Sequence, residues 1–146
     1  VLRLKKYLGD DEEFMLTYGD GVADIDLKKL VDFHKSQGTI ATLTGVRPHS
    51  RFGMIKIDDA RGVASHFQQK PVLDDYISGG FMVFKRQALD YMDEGWIENA
   101  FVKLAKEGEL SIFKHDGFWQ PMDTYQEMEE LNRLWQDTRP WAIWEK

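Results

Sequence analysis

The segment Phe14–Met15–Leu16–Thr17–Tyr18–Gly19–Asp20–Gly21 decides the fold of this chain. Its first four residues form a short apolar run, which predicts a buried β-strand. The two glycines around Asp20 predict a sharp turn at the end of that strand. An amphipathic helix is then predicted from one face with the spacing i, i+3, i+4 and i+7, formed by Leu27, Leu30, Val31 and His34. A strand followed by a turn and a helix is the building unit of α/β proteins.

The rest of the chain continues this alternation. Predicted strands cover 39–46 and 77–84, a predicted hairpin covers 53–68, and predicted helices cover 97–107 and 124–136. The last helix begins with the capping box Thr124-x-x-Glu127, and its expected buried stripe is Met128, Leu131, Leu134 and Trp135. The pair Gly79–Gly80 inside an apolar run predicts a bulge or a close backbone approach. We therefore expect an α/β fold, with residues 1–146 forming a single domain.

Composition excludes several classes of protein. The 146 residues are 42% hydrophobic and 30% charged, which is typical of a soluble globular domain. No apolar run approaches the roughly 20 residues of a membrane-spanning helix. The absence of cysteine excludes disulfides, thiolate metal sites and cysteine nucleophiles. The missing cysteines also permit a reducing compartment, and we expect a cytoplasmic protein. Because the net charge is −6, we expect it to bind neither nucleic acid nor a membrane.

Three charged residues are candidates for chemistry. Asp20 follows a predicted strand, and a carboxylate there can hold Mg²⁺ together with water and phosphate oxygens. Asp123 directly precedes the predicted helix at Thr124, whose amides favour its ionised form. Lys70 stands between a predicted strand and Pro71, where it can reach an anionic group. Each also fits a plain structural role: a turn, a helix-start carboxylate or a solvated lysine.

Four segments, in order along the chain, resemble the sugar-1-phosphate nucleotidyltransferase family. They are residues 14–24, which include Tyr-Gly-Asp-Gly-Val-Ala-Asp, residues 67–71, residues 77–84, and residues 117–124, which include Phe-Trp-Gln-Pro-Met-Asp-Thr. The similarity is greatest to the members that make CDP-glucose from CTP and glucose-1-phosphate. It covers essentially the whole chain and implies a Rossmann-like nucleotidyltransferase fold, a mixed sheet flanked by helices. It also implies a role in nucleotide-sugar synthesis for surface polysaccharide such as the lipopolysaccharide O-antigen.

The resemblance implies a role for individual residues. Asp20 and Asp123 would hold a magnesium ion, and Lys70 would contact the sugar phosphate, so these three form the predicted catalytic set. The predicted substrate-binding residues are Gly19, Gln69, Lys70, Ser78, Gly79, Gly80 and Trp119. In the implied reaction a sugar phosphate oxygen attacks the α-phosphorus of CTP and pyrophosphate leaves. No protein nucleophile is required, which agrees with the absence of serine and cysteine nucleophile motifs.

The sequence also departs from the family pattern. Gln69 stands where the family usually has a sugar-binding glutamate, and Ser78 where it usually has asparagine, so we expect altered sugar recognition. The family's loop Gly-Gly-x-Gly-Thr-Arg does not occur in this sequence. We therefore expect the C-terminal part of a nucleotidyltransferase domain, inactive and weak in CTP binding by itself, that forms a homo-oligomer. Two alternatives remain: a non-catalytic oligomerising or regulatory remnant, and a metal-dependent glycosyltransferase.

Overall fold

Eight strands and three α-helices make up the fold in the computed structural model, which describes residues 1–145. The strands are β1 (Glu13–Thr17), β2 (Gly21–Ala23), β3 (Ala41–Val46), β4 (Met54–Asp58), β5 (Val63–Gln68), β6 (Ile77–Lys85), β7 (Leu110–His115) and β8 (Trp119–Pro121). The helices are α1 (Leu27–Gln37), α2 (Glu98–Lys106) and α3 (Tyr125–Gln136). Short 3₁₀ helices cover Leu2–Tyr7, Arg86–Asp90 and Ile143–Glu145.

The central sheet has the strand order β1-β6-β3-β7. β3 and β7 are parallel, and β6 runs antiparallel to both β1 and β3, so three strands point one way and one the other. The carboxyl ends of β1, β3 and β7 therefore meet the amino end of β6 at one edge of the sheet. Strand β3 is buried throughout, whereas β1 lies at the side of the sheet and leaves Met15 46% exposed. The prediction that β1 is a buried strand was wrong in this respect.

Helices cover both faces of the central sheet. Side chains of β6 alternate between the faces: Met82 and Phe84 pack in one cluster with Phe101 and Leu104 of α2, and Val83 packs in another with Leu30 of α1. The fold is therefore a helix–sheet–helix sandwich. The predicted α/β class with a mixed sheet flanked by helices is confirmed.

The helix ends follow local sequence signals. Asp26 caps α1 by accepting a hydrogen bond from the Lys29 amide at 3.1 Å, and Gly38 ends this helix at φ +71°. The predicted capping box of Thr124 and Glu127 begins α3. The predicted buried stripe of α3 was wrong, since the helix has no buried residue and Trp135 is 39% exposed. The reason is that α3 packs beside β8 and not on the central sheet.

The predicted irregularity at Gly79–Gly80 is present in β6. Leu43 of β3 faces Met82, whereas Gly45, two residues later, faces Ser78, so β6 carries extra residues at this point. Gly80 adopts φ +80°, which favours glycine. A Cβ on Gly79 would lie 2.8 Å from Cγ1 of Val46 and 3.3 Å from the Thr44 carbonyl oxygen, so β6 packs closely against β3 here. This bulge shapes the sheet edge at which β3 ends.

The hairpin of β4 and β5 forms a separate two-stranded sheet. Its turn closes through the Gly62 amide, which donates to the Asp58 carbonyl at 2.8 Å, as predicted. Its apolar side chains stay in solvent, and Ile55, Ile57 and Phe67 are 56%, 61% and 60% exposed. Among the helices of residues 1–145, none combines the length and apolar character needed to cross a membrane.

Candidate active site

A cleft of about 1180 Å³ opens at the sheet edge where β1 and β3 end and β6 begins. Ligands of α/β proteins gather at this kind of edge. The lining comes from the turn after β1, the loop after β3, the start of β6, and the segment that joins β8 to α3. Of the predicted residues, those that line the cleft are Asp20, Lys70, Ser78, Gly79, Trp119 and Asp123.

A short antiparallel ladder brings Asp20 and Asp123 together. Gly21 of β2 pairs with Pro121 of β8. One step further, the Met122 amide donates to the Asp20 carbonyl at 2.7 Å, so Asp123 follows directly after the residue that faces Asp20. The sequence predicts a turn at this point, and neither strand was expected. Three-residue strands have too few positions to show an alternating pattern.

The two aspartates suit a magnesium ion that also binds phosphate. Residues 1–145 contain no group of three or more His, Cys, Asp or Glu side chains arranged to hold a metal ion. Mg²⁺ in nucleotide sites commonly uses one or two carboxylates and completes its shell with water and substrate phosphates. The Asp20 and Asp123 carboxylates therefore fit such an ion together with a phosphate ligand, and not a metal held by the protein alone.

Arg51, which was not among the residues predicted from the sequence, lies against the Asp123 carboxylate. Its Nη2 donates to Asp123 Oδ2 and to Glu127 Oε1, each at 3.1 Å. The other oxygen of Glu127 accepts the backbone amides of Asp123 and Thr124, each at 2.9 Å. Only its position in the sequence could have indicated Arg51 as a site residue, because it stands in the loop after β3, at the carboxyl end of a strand.

Glu127 stays ionised within this arrangement. Burial acts to raise the pKa of Glu127, but three other effects act to lower it. They are the Thr124 side chain, the backbone amides of Asp123 and Thr124, and the charge of Arg51. Together they outweigh burial and hold the pKa below its ordinary range. Glu127 is therefore a fixed negative charge that anchors Arg51.

Lys70 reaches the same cleft from the loop after β5. Its φ of +47° is unusual for any residue with a side chain, and more so before a proline. Two bonds hold the loop: the Ser50 amide donates to the Pro71 carbonyl at 2.7 Å, and the Leu73 amide to the Pro48 carbonyl at 2.9 Å. These bonds tie the Lys70 loop to the loop that carries Arg51. The structure thus places the predicted lysine and both aspartates around one cavity.

The start of β6 and Trp119 form a second part of the lining. The indole Nε1 of Trp119 donates to the Gly79 carbonyl at 2.9 Å, which fixes the ring against the glycine pair. Ser78 and Gly79 face the cleft, whereas Gly80 packs against the ring of Tyr18. The absence of a side chain at Gly79 makes room for Val46 and the Thr44 carbonyl of β3, against which this part of β6 packs.

Three predicted binding residues lie outside the lining. Gly19 is in the turn before β2, and Gly80 lies behind Tyr18. The Gln69 side chain points to the base of the hairpin, where its Oε1 would lie 3.1 Å from a Cβ on Gly53. The structure does not bring these residues to the cleft, and their substrate-binding roles stay predictions.

Tyr18 is a neutral member of the cleft wall. Its hydroxyl donates to Glu98 Oε1 at 2.6 Å. Burial, and then the hydrogen bond and the negative charge of Glu98, raise the pKa of Tyr18 above its usual range. Because it keeps its proton, Tyr18 adds no negative charge beside Asp20.

Comparison with known proteins shows the family to which this chain is similar. Residues 1–142 match the family model described as "Nucleotidyl transferase". The chain is 45% identical over 148 residues to the glucose-1-phosphate cytidylyltransferases of Salmonella typhi and of Salmonella typhimurium strain LT2. Each alignment covers 98% of this chain and 57% of the relative, so the chain spans a little over half the length of these proteins.

The fold has counterparts among solved structures. A candidate glucose-1-phosphate thymidylyltransferase of Bacillus anthracis, solved in complex with a sucrose, superimposes with a TM-score of 0.69 at 19% identity. HddC of Yersinia pseudotuberculosis superimposes with a TM-score of 0.62 at 15% identity. The alignments cover 93% and 92% of this chain, and 59% and 60% of the two structures. At these identities the likeness concerns the fold, a Rossmann-like mixed sheet.

Proposed function

Because the chain belongs to the nucleotidyl transferase family, we propose that the complete protein transfers a cytidylyl group from CTP to glucose-1-phosphate. The products would be CDP-glucose and pyrophosphate. Support for the substrates comes from the two Salmonella relatives, which carry the name glucose-1-phosphate cytidylyltransferase.

One observation of this chain carries the proposal. The ladder of β2 and β8, extended by the bond from Met122 to Asp20, places two carboxylates in one cleft with Lys70. Phosphoryl and nucleotidyl transfer require little covalent chemistry from the protein, because the barrier falls mainly through positioning and charge neutralisation. Two carboxylates for a metal ion and a lysine for a phosphate are suitable groups for that task.

In the proposed reaction a phosphate oxygen of glucose-1-phosphate bonds to the α-phosphorus of CTP while the bond to the β-phosphate oxygen breaks. A bound Mg²⁺ would neutralise charge on the phosphate oxygens, and Asp20 and Asp123 would hold it. Lys70 binds the sugar phosphate through its ammonium group and orients the attacking oxygen. The indole of Trp119 and the Gly79 backbone form the wall against which the sugar lies.

The test of substrate identity is a comparison of nucleotides. The complete protein is given glucose-1-phosphate, Mg²⁺ and, in turn, CTP, UTP, GTP or dTTP, and the sugar nucleotide is identified by mass. We expect CDP-glucose, with kcat/KM for CTP at least about tenfold above the others, which is 1.4 kcal/mol of discrimination. Preference for another triphosphate would overturn the cytidylyl assignment and leave the family assignment intact.

The proposal extends to assembly. We expect a homo-oligomer, because the hairpin presents Ile55, Ile57 and Phe67 together, each more than half exposed. Light scattering of the wild type and of Ile57→Lys tests this. A wild type that scatters as a monomer would contradict it, and so would a variant that associates as strongly as the wild type.

The proposal also includes the cellular setting. CDP-glucose is a precursor for surface polysaccharide such as the O-antigen, and nucleoside triphosphates are made in the cytoplasm, so we place the protein there. Loss of the O-antigen sugars that derive from CDP-glucose, after deletion of the gene, is the expected result. Unchanged polysaccharide would contradict this setting.

A further inference from the structure

Arg51 holds one of the two cleft carboxylates. Among residues 1–145 it is the only side chain that forms a hydrogen bond or ion pair with the Asp123 carboxylate. The Asp20 carboxylate, in the same described part of the chain, makes neither. A cation that enters between the aspartates therefore meets one free carboxylate and one that is already paired.

The two partners of Arg51 are held with different strength. Glu127 is 17% exposed at its side chain, and two backbone amides fix its other oxygen. The Asp123 side chain is 53% exposed and bonds to Arg51 through a single oxygen. An exposed ion pair of this kind contributes little stability and exchanges readily. The Arg51 guanidinium can therefore separate from Asp123 and still remain at the cleft through its bond to Glu127.

On the basis of the proposed metal role of Asp20 and Asp123, we propose that Arg51 is a positioning residue that occupies Asp123 until substrate phosphates draw it away. The cleft then takes up a metal–polyphosphate complex in preference to the free metal ion.

The charges in the cleft give the reason. A guanidinium beside Asp123 repels a divalent cation and competes for the same carboxylate oxygen. A polyphosphate removes both obstacles, because its oxygens accept paired hydrogen bonds from the guanidinium and also ligate the metal. The positive charge that hinders the free ion therefore assists the complex.

The experiment measures Mn²⁺ affinity on the complete protein, by the electron paramagnetic resonance signal of free Mn²⁺, with and without inorganic pyrophosphate. Without pyrophosphate, Arg51→Gln should bind Mn²⁺ about tenfold more tightly than the wild type, because the substitution removes one exposed positive charge that water and salt partly screen. Arg51→Lys, which keeps the charge, should remain weak. With pyrophosphate present, the advantage of Arg51→Gln should disappear.

Arg47→Gln is the matched control. Arg47 lines the same cleft and carries the same charge, but its guanidinium pairs with Asp116 at 2.8 Å. We expect this variant to keep the wild-type affinity for Mn²⁺ within about twofold, because Arg47 makes no contact with Asp123. If Arg47→Gln and Arg51→Gln raise the Mn²⁺ affinity equally, the increase comes only from the change in net charge, and the proposal is overturned.

Asp123→Asn separates this inference from the proposed function. If Asp123→Asn loses Mn²⁺ and Arg51→Gln binds it no more tightly than the wild type, the inference is wrong and the metal role stands. If, with pyrophosphate present, Asp123→Asn binds Mn²⁺ as well as the wild type, or no variant binds it, the metal role itself fails. A wild-type affinity too weak to measure, together with measurable binding by Arg51→Gln, supports the inference.

Discussion

The Met122 amide donates to the Asp20 carbonyl at 2.7 Å, and this bond sets the spacing of the two cleft aspartates. It continues the register in which Gly21 faces Pro121. Because the bond is between backbone atoms, it does not depend on the chemistry of either aspartate side chain. The aspartates can therefore be changed without loss of the ladder that positions them.

Replacement of either aspartate by asparagine should abolish turnover and leave the fold intact. Asp20→Asn and Asp123→Asn keep the side-chain size but remove the charge that would hold the metal ion. We expect kcat to fall by well over tenfold, more than about 1.4 kcal/mol of barrier, in a pyrophosphate-release assay. Asp116→Asn is the control, because Asp116 pairs with Arg47 outside the ladder. Retention of turnover within tenfold would contradict the metal role.

Lys70→Ala should weaken the binding of one substrate selectively. The KM for glucose-1-phosphate should rise several-fold more than the KM for CTP, because Lys70 is assigned to the sugar phosphate. Initial rates with each substrate varied in turn measure this. Lys56→Ala, on the exposed hairpin, should change neither value. Equal increases in both KM values would show that Lys70 does not distinguish the two phosphates.

Gly79→Ala should destabilise the protein. The new Cβ would lie 2.8 Å from Cγ1 of Val46 and 3.3 Å from the Thr44 carbonyl oxygen, both in the buried strand β3. We expect a loss of about 1–3 kcal/mol in the free energy of unfolding, measured in urea. Gly19→Ala is the matched control, since a Cβ there meets no atom within 4 Å. Equal stability of the two variants would refute the close approach of β6 to β3.

Glu127 should contribute stability that depends on pH. Its native pKa lies below the ordinary glutamate value of 4.5, so the native state binds the proton less readily than the unfolded state. The stabilisation is therefore complete above about pH 4.5 and is lost as the pH falls through the native pKa. Urea unfolding at pH 7 and near pH 3.5 should show a larger loss for the wild type than for Glu127→Gln. Glu129→Gln, on the same helix, is the control and should lose as much stability at low pH as the wild type. If Glu127→Gln also loses as much as the wild type, the pKa of Glu127 is not lowered by the contacts described.

Features that depend on contacts within a few residues along the chain could be predicted from the sequence. The cap at Asp26, the glycine stop at Gly38 and the capping box of Thr124 and Glu127 each depend on contacts three or four residues apart. The bulge at Gly79 was also predicted, because a glycine pair inside an apolar run has few other uses.

Features that depend on distant pairing could not be read in this way. The three-residue strands β2 and β8 exist only because they pair with each other, and Arg51 reaches Asp123 only in the folded chain. The exposure of Met15 follows from the place of β1 at the side of the sheet, which no local pattern records. Lys70 and the two aspartates were candidates from their local positions, and the resemblance to a family supplied their predicted roles.

We propose that this cleft, in the complete protein, joins a nucleotide to a sugar phosphate. The most direct measurement follows the ³¹P resonances of the complete protein with CTP, glucose-1-phosphate and Mg²⁺, and compares the wild type with Asp20→Asn. We predict that CDP-glucose and pyrophosphate appear together in equal amounts with the wild type and stay absent with Asp20→Asn. Hydrolysis of CTP without CDP-glucose, or equal rates from both proteins, would contradict the account.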